Sequence, residues 1–313
     1  MLSRRNVRIK LMQVLYEDSC SEDPGKADRL KQILENRIEN TKDLFIFNIG
    51  FLYELTKNSI KDEGRRKSKH IPSEVDKAFK PILFDNPLVD ALREDDVLQK
   101  ELKRRNVEES LDKDKVKSCY LDLAKTEEYG QFILENDRPD DFFTKMLLHA
   151  YKFMSKNEFF EEAVNDQFNF WNLDKSLIMG VMKKYIKAMP TEPGHFLTYY
   201  PDSDILDDFA YLLLANTIKY NEVNEKRLEK ALQNWDMDRV AKLDLILLKM
   251  ALTELVTFTT IPSKVTINEY VEISKAFSTD KSKEFINGIL DRLMKKFIKE
   301  GIVVKEGRGL IDE

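Results

Sequence analysis

Apolar positions recur along most of this chain at helical spacing, and almost nowhere do they alternate as a strand would. In the opening stretch "SRRNVRIKLMQVLY", Val7, Leu11, Val14 and Leu15 fall on one face of a helical wheel. Arg5, Ile9, Met12 and Tyr16 fall on the opposite face. Two readings of that second stripe stand: a central helix with protein on both sides, or a face for a ligand or partner. A second helical stretch is expected from about residue 26 to 61, with a possible break near Asn40.

Residues 62–87 carry Gly64, Pro72, Pro81 and Pro87 and read as a long connection with at most short turns. Its cations Arg65, Arg66, Lys67 and Lys69 form a basic cluster expected on a solvated loop. One further helix is expected over about 114–135. Then "DDFFTKMLLHAYKF" (140–153) leads to "FWNLDK", and "DDFAYLLLANTIKY" (207–220) leads to "NWDMDR". Trp171 and Trp235 are the only tryptophans, so the two runs read as a degenerate internal duplication.

The last third is the most regular. Residues 238–258 are apolar on more than one side, as in a buried central helix. Pro262 ends it, and 263–277 form the next helix. Ser278 or Thr279 is expected to cap a final helix presenting Phe285, Ile286, Ile289, Leu290, Leu293 and Phe297. The tail after residue 300 is expected to be poorly fixed.

Composition agrees with an all-α protein: only 10 glycines and 9 prolines in 313 residues, with 42% hydrophobic and 34% charged. The two cysteines, Cys20 and Cys119, build neither a zinc site nor a disulfide framework, which suits a reducing, cytoplasmic location. No apolar run approaches the roughly 18–20 residues of a membrane span. Glu17, Asp18 and the continuing helical pattern favour a structural first helix over an organellar presequence. The three histidines are scattered, and there is no nucleophile elbow, phosphate loop or dinucleotide fingerprint. No catalytic residue, metal or cofactor is expected, and the protein reads as a binding protein rather than an enzyme.

Charge then sharpens the first helix. The chain has a formal net charge of −5, yet residues 1–16 hold Arg4, Arg5, Arg8 and Lys10 and no acid. Local rather than net charge draws a polyanion. Gln13 and Tyr16 continue the face of Arg5; an amide can read a base edge and an aromatic can stack, as in single-stranded RNA recognition.

"RRNVRIKLMQVLY" resembles the first helix of NusB-type transcription antitermination factors. "NWDMDRVAKLDLILLKMALTEL" resembles their central helix, and "IPSKVTINEYVEISKAFSTDKSKEFINGILDRL" their last two helices. The resemblance covers residues 2–20 and about 203–298. It implies an all-helical fold of two small antiparallel bundles, with 1–20 as first helix, 21–200 as an inserted helical region, 201–300 as the C-terminal helical domain and 301–313 as a tail. It further implies binding of boxA RNA, together with the ribosomal protein NusE, in the antitermination complex of RNA polymerase, notably on ribosomal RNA operons. The RNA-binding positions it implies are Arg4, Arg5, Arg8, Lys10, Gln13 and Tyr16, with Lys281, Lys283 and Phe285 across a groove. The partner surface it implies includes Asp244 and Lys249. Thr253 departs from a frequent Tyr, and Lys249 from a frequent Arg. The alternative is a helical adaptor that has lost RNA binding. An RNA methyltransferase with a NusB-like start would need a following α/β domain.

Overall fold

The computed structural model describes residues 2–22, 26–232 and 240–310. Among them every regular element is a helix, as the breaker-poor composition requires. In chain order these are α1 (Arg4–Ser19), α2 (Ala27–Lys67), α3 (Glu74–Ala78), α4 (Pro87–Glu94), α5 (Asp96–Arg104), α6 (Val107–Ser110), α7 (Lys113–Leu123) and α8 (Glu127–Leu134). There follow α9 (Phe142–Met154), α10 (Glu158–Asn165), α11 (Trp171–Ala188), α12 (Ser203–Ile205), α13 (Leu212–Lys219), α14 (Asn221–Ala231), α15 (Lys242–Thr257), α16 (Ser263–Phe277) and α17 (Ser282–Lys299). A π-helical turn, Leu206–Tyr211, joins α12 to α13.

The chain forms two compact units. Residues 2–38 and 201 onward make the terminal unit, and residues 39–200 make the inserted unit. In the terminal unit α15 is the central helix. Leu247, Leu248, Met250, Ala251, Leu252 and Leu255 are buried around its circumference, against α1, α13, α14, α16 and α17. The apolar run that predicts this helix therefore has neighbours on all sides. The first turns of α2 belong here too: Leu30, Leu34 and Ile38 are buried, and Arg37 pairs with Glu17 at the end of α1.

The inserted unit is built on aromatic rings. Phe51 meets Phe160 edge-on with centroids 5.0 Å apart, and Phe160 meets Trp171 edge-on at 5.6 Å. Trp171 opens α11, and its indole Nε1 donates to Glu161 Oε2 at 3.0 Å. Trp235, the second half of the proposed duplication, lies outside the described residues.

Four sequence expectations change. The break near Asn40 is absent: α2 runs unbroken for 41 residues, since residues 26–61 hold only one glycine and no proline. Residues 62–67 are helical, so Arg65, Arg66 and Lys67 form the last turn of α2, where cations suit the helix dipole. The helix expected over 114–135 is two, because Thr126 caps α8 by accepting from Tyr129 N.

Among the described residues the tail is fixed. Lys305 Nζ donates to the carbonyls of Leu255 and Phe258, both at 3.0 Å, closing the C-terminal end of α15. Gly309 lies against Thr259, whose carbonyl oxygen leaves no room for a Cβ.

Candidate nucleic-acid interface

Helix α1 starts at Ser3, whose hydroxyl accepts from Asn6 N, and it packs on two sides. Val7, Leu11 and Val14 are buried on the core face; Met12 is buried as well, and Ile9 is half-buried. The reading of α1 as a central helix thus holds for the middle of its second stripe, Ile9 and Met12, while Arg5 and Tyr16 at its ends are exposed.

Arg8 is the largest correction to the expected RNA site. Its side chain is buried, with Nε donating to Glu254 Oε2 at 2.7 Å and Nη2 to Glu254 Oε1 at 2.5 Å. The guanidinium lies over the Phe209 ring at 4.9 Å and near Tyr270 at 5.8 Å. Thr266 Oγ1 and Tyr270 OH donate to the same Glu254 carboxylate, at 2.9 and 3.1 Å. Burial alone would lower the Arg8 pKa, but the hydrogen bonds and charge of Glu254 reverse this and leave it raised. Burial and the Glu254 charge likewise push the Tyr270 phenol far up. Arg8 holds α1, α15 and α16 together and presents nothing to a ligand.

Lys10 is also buried, so it too is withdrawn from the surface. Asp244, expected to meet a protein partner, is buried and accepts from Ser278 Oγ at 2.6 Å and Ser282 Oγ at 2.7 Å. It ties the first turn of α15 to the start of α17. Ser278 therefore serves Asp244 rather than capping α17 through a backbone N–H. Lys249 is mostly covered and lies 3.5 Å from Glu225. Thr253 accepts from Asn224 Nδ2 at 2.9 Å, a contact within the unit.

The remaining candidates reach the surface. Arg4 is exposed, its guanidinium 5.5 Å from the Phe209 ring centroid. Arg5 is half exposed and makes a two-point bridge to Glu269 of α16, at 2.8 and 2.6 Å. That bridge lowers the Glu269 pKa. Gln13 is half-buried, and its Nε2 has no hydrogen-bond partner. Tyr16 is 44% exposed. Lys281 and Lys283 are exposed at the start of α17, Lys283 lying 3.2 Å from Glu284, and Phe285 is half-buried.

These groups lie toward two ends of the terminal unit. The Arg8–Glu254 bridge sets the start of α1 beside the later turns of α15, whereas Lys242 Nζ donates to Ser19 O at the other end. Helices α1 and α15 are therefore antiparallel. Asp244 draws Ser282 to the same end of α15. Tyr16 is thus at the end shared with Lys281 and Lys283, while Arg4 and Arg5 lie about 17 Å away along α1, at ~1.5 Å per residue.

Glu254, Glu269 and Phe209 are the site residues that sequence reasoning missed. Glu254 carried a signal: it is a lone acid in the apolar run "MALTELV", and a carboxylate in such a place needs a buried cation. Among the described residues no group of histidine, cysteine or acidic side chains could hold a metal ion, and no helix is long and apolar enough to cross a membrane.

The NusB family model matches residues 175–295, from the second turn of α11 to α17. The transcription antitermination protein NusB of Salinibacter ruber is 41% identical over 104 residues, covering 33% of this chain and 65% of that protein. Its namesake from Chloroherpeton thalassium is 37% identical over 105 residues, 34% of this chain and 50% of that protein. That of Natranaerobius thermophilus is 45% identical over 93 residues, 28% of this chain and 67% of that protein. The matches thus span about half to two thirds of these relatives' length. No solved structure matches the chain significantly. The family model and these relatives agree with the helices around α15, and the chain belongs to the NusB family.

Proposed function

We propose that this protein is a non-enzymatic transcription antitermination factor that binds boxA-type single-stranded RNA through the terminal unit, together with the ribosomal protein NusE in the antitermination complex of RNA polymerase, notably on ribosomal RNA operons. The match to proteins named transcription antitermination protein NusB carries this reading. The exposure of these side chains supports it with suitable chemistry: Arg4 and Arg5 for phosphates at one end, Lys281 and Lys283 for phosphates at the other, and Tyr16 as a stacking surface. Phe285 is partly covered and adds an aromatic edge, whereas the Gln13 amide nitrogen is buried. Lys249 is the remaining expected contact for NusE, since Asp244 is committed within the unit.

The burial of Arg8 and Lys10 favours one second reading, the helical adaptor without RNA binding, because it removes two of the expected cations. Alanine at Arg4 and Arg5 separates the two. The antitermination reading expects a clear loss of affinity for a boxA-type RNA oligonucleotide; unchanged affinity in the folded variant supports the adaptor.

A further inference from the structure

The proposed RNA site contains an acid where it should be most basic. Glu269 occupies the Nε–Nη2 edge of Arg5, the forked edge through which a guanidinium grips a phosphate at two points. Glu272 adds a second negative field on Arg5 from the next turn of α16. The two acids near α1 are not equivalent. Glu254 is wholly buried and saturated by Arg8, Thr266 and Tyr270, so no ligand can displace it. Glu269 is at the edge, its side chain 18% exposed beside an Arg5 that is 49% exposed. It also lies 3.5 Å from Arg8 Nη1. If Arg5 swings away, Glu269 keeps a cation, which lowers the cost of releasing Arg5.

We propose that Glu269 is a built-in competitor for Arg5: the carboxylate holds the guanidinium fork closed, and an RNA phosphate opens it by exchange, leaving Glu269 on Arg8. This rests on the RNA-binding reading above and names how that site is regulated. A ligand with one weak anionic group does not repay the lost bridge, whereas a phosphate chain anchored at Lys281 and Lys283 brings a second phosphate to Arg5 at high local concentration. The competitor thus favours a strand that spans both ends of the site.

The test is a double-mutant cycle of Glu269→Gln and Arg5→Ala in the full chain, read by anisotropy of a labelled single-stranded boxA-type RNA. Glu269→Gln is expected to bind about two- to fivefold tighter, the range for losing an exposed ion pair. Its log–log salt slope steepens by up to about 0.7, one phosphate contact on a single strand. In the Arg5→Ala background the same substitution has a much smaller effect. Glu269→Asp, which keeps a charge near Arg8 but shortens the reach to Arg5, gives an intermediate affinity and serves if the Gln variant does not fold. Weaker binding by Glu269→Gln, or an equal gain in both backgrounds, overturns the competitor while leaving RNA binding intact. Wild-type binding that ignores both salt and Arg4→Ala fails the underlying reading instead, and the competitor with it.

Discussion

Two basic clusters look alike in the sequence, "RRNVR" near the start and "RRKSK" at 65–69, and the fold uses them differently. In the first, one arginine goes inside and the others stay near the surface. Arg8 joins Glu254 across 246 residues of chain, so it fastens helices that are remote in sequence. In the second, Arg66 goes inside, but its carboxylate partners are local. It donates to Asp62 at 2.7 Å, Asp76 at 3.0 Å and the carbonyl of Ala124 at 3.2 Å. Its neighbours Arg65 and Lys69 are spent on the same two aspartates. All four cations at the end of α2 lie against carboxylates, whereas near α1 Arg4 lies against the Phe209 ring instead. A run of cations therefore reveals a polyanion site only once the positions of the carboxylates are known.

The largest expected effect is on stability. Arg8→Ala strands Glu254 in an apolar core and should cost about 3–5 kcal/mol in chemical denaturation of the terminal unit. Arg66→Ala should cost less, about 1–3 kcal/mol, because Arg65 and Lys69 still reach Asp62 and Asp76. Equal losses would remove the distinction between a long-range and a local clasp.

Acid should separate the units next. Lys69, with Ser73, holds the Asp76 carboxyl well below the usual carboxylate range despite its burial. A carboxylate with a depressed folded pKa contributes stability that is complete above its unfolded value near ~3.9 and is lost as pH falls below it. Urea melts of the inserted unit, followed by Trp171 fluorescence in a Trp235→Phe background, should weaken progressively from roughly pH 5 to 2. Lys69→Met should shrink that change; an unaltered pH profile would show that Asp76 is not its source.

A smaller effect is expected at the tail. Lys305→Met removes two hydrogen bonds to the last turn of α15 and should cost about 1–3 kcal/mol, since the bonds are to a charged group. A loss near zero would mean that the tail is held without Lys305, by contacts such as those of Glu306 and Gly309 with Thr259.

Legibility follows the range of the interactions. Helix α16 and most of α17 are evident from Pro262 and the regular apolar spacing, because propensity and periodicity are local. The buried state of α15 is evident from its apolar circumference. The continuity of α2 is not, because its polar run at 39–43 marks the passage between two units rather than a loop. Thr41 within that run is buried and donates to Asp174 at 3.0 Å, a partner that no local pattern indicates. The candidate site is half legible for the same reason. Arg4, Tyr16, Lys281 and Lys283 are exposed, as a surface site requires, whereas Arg8, Lys10 and Asp244 turn inward toward partners or neighbours remote in the chain.

The most direct test of the central claim is the salt dependence of boxA-type RNA binding, compared between Arg4→Ala/Lys281→Ala/Lys283→Ala and Arg65→Ala/Lys69→Ala. Each phosphate contact removed should flatten the log–log slope by about 0.7, so the first variant should flatten it by roughly 2 and the second leave it unchanged. An unchanged slope in the first variant, or an equal change in both, would contradict an RNA site on the terminal unit.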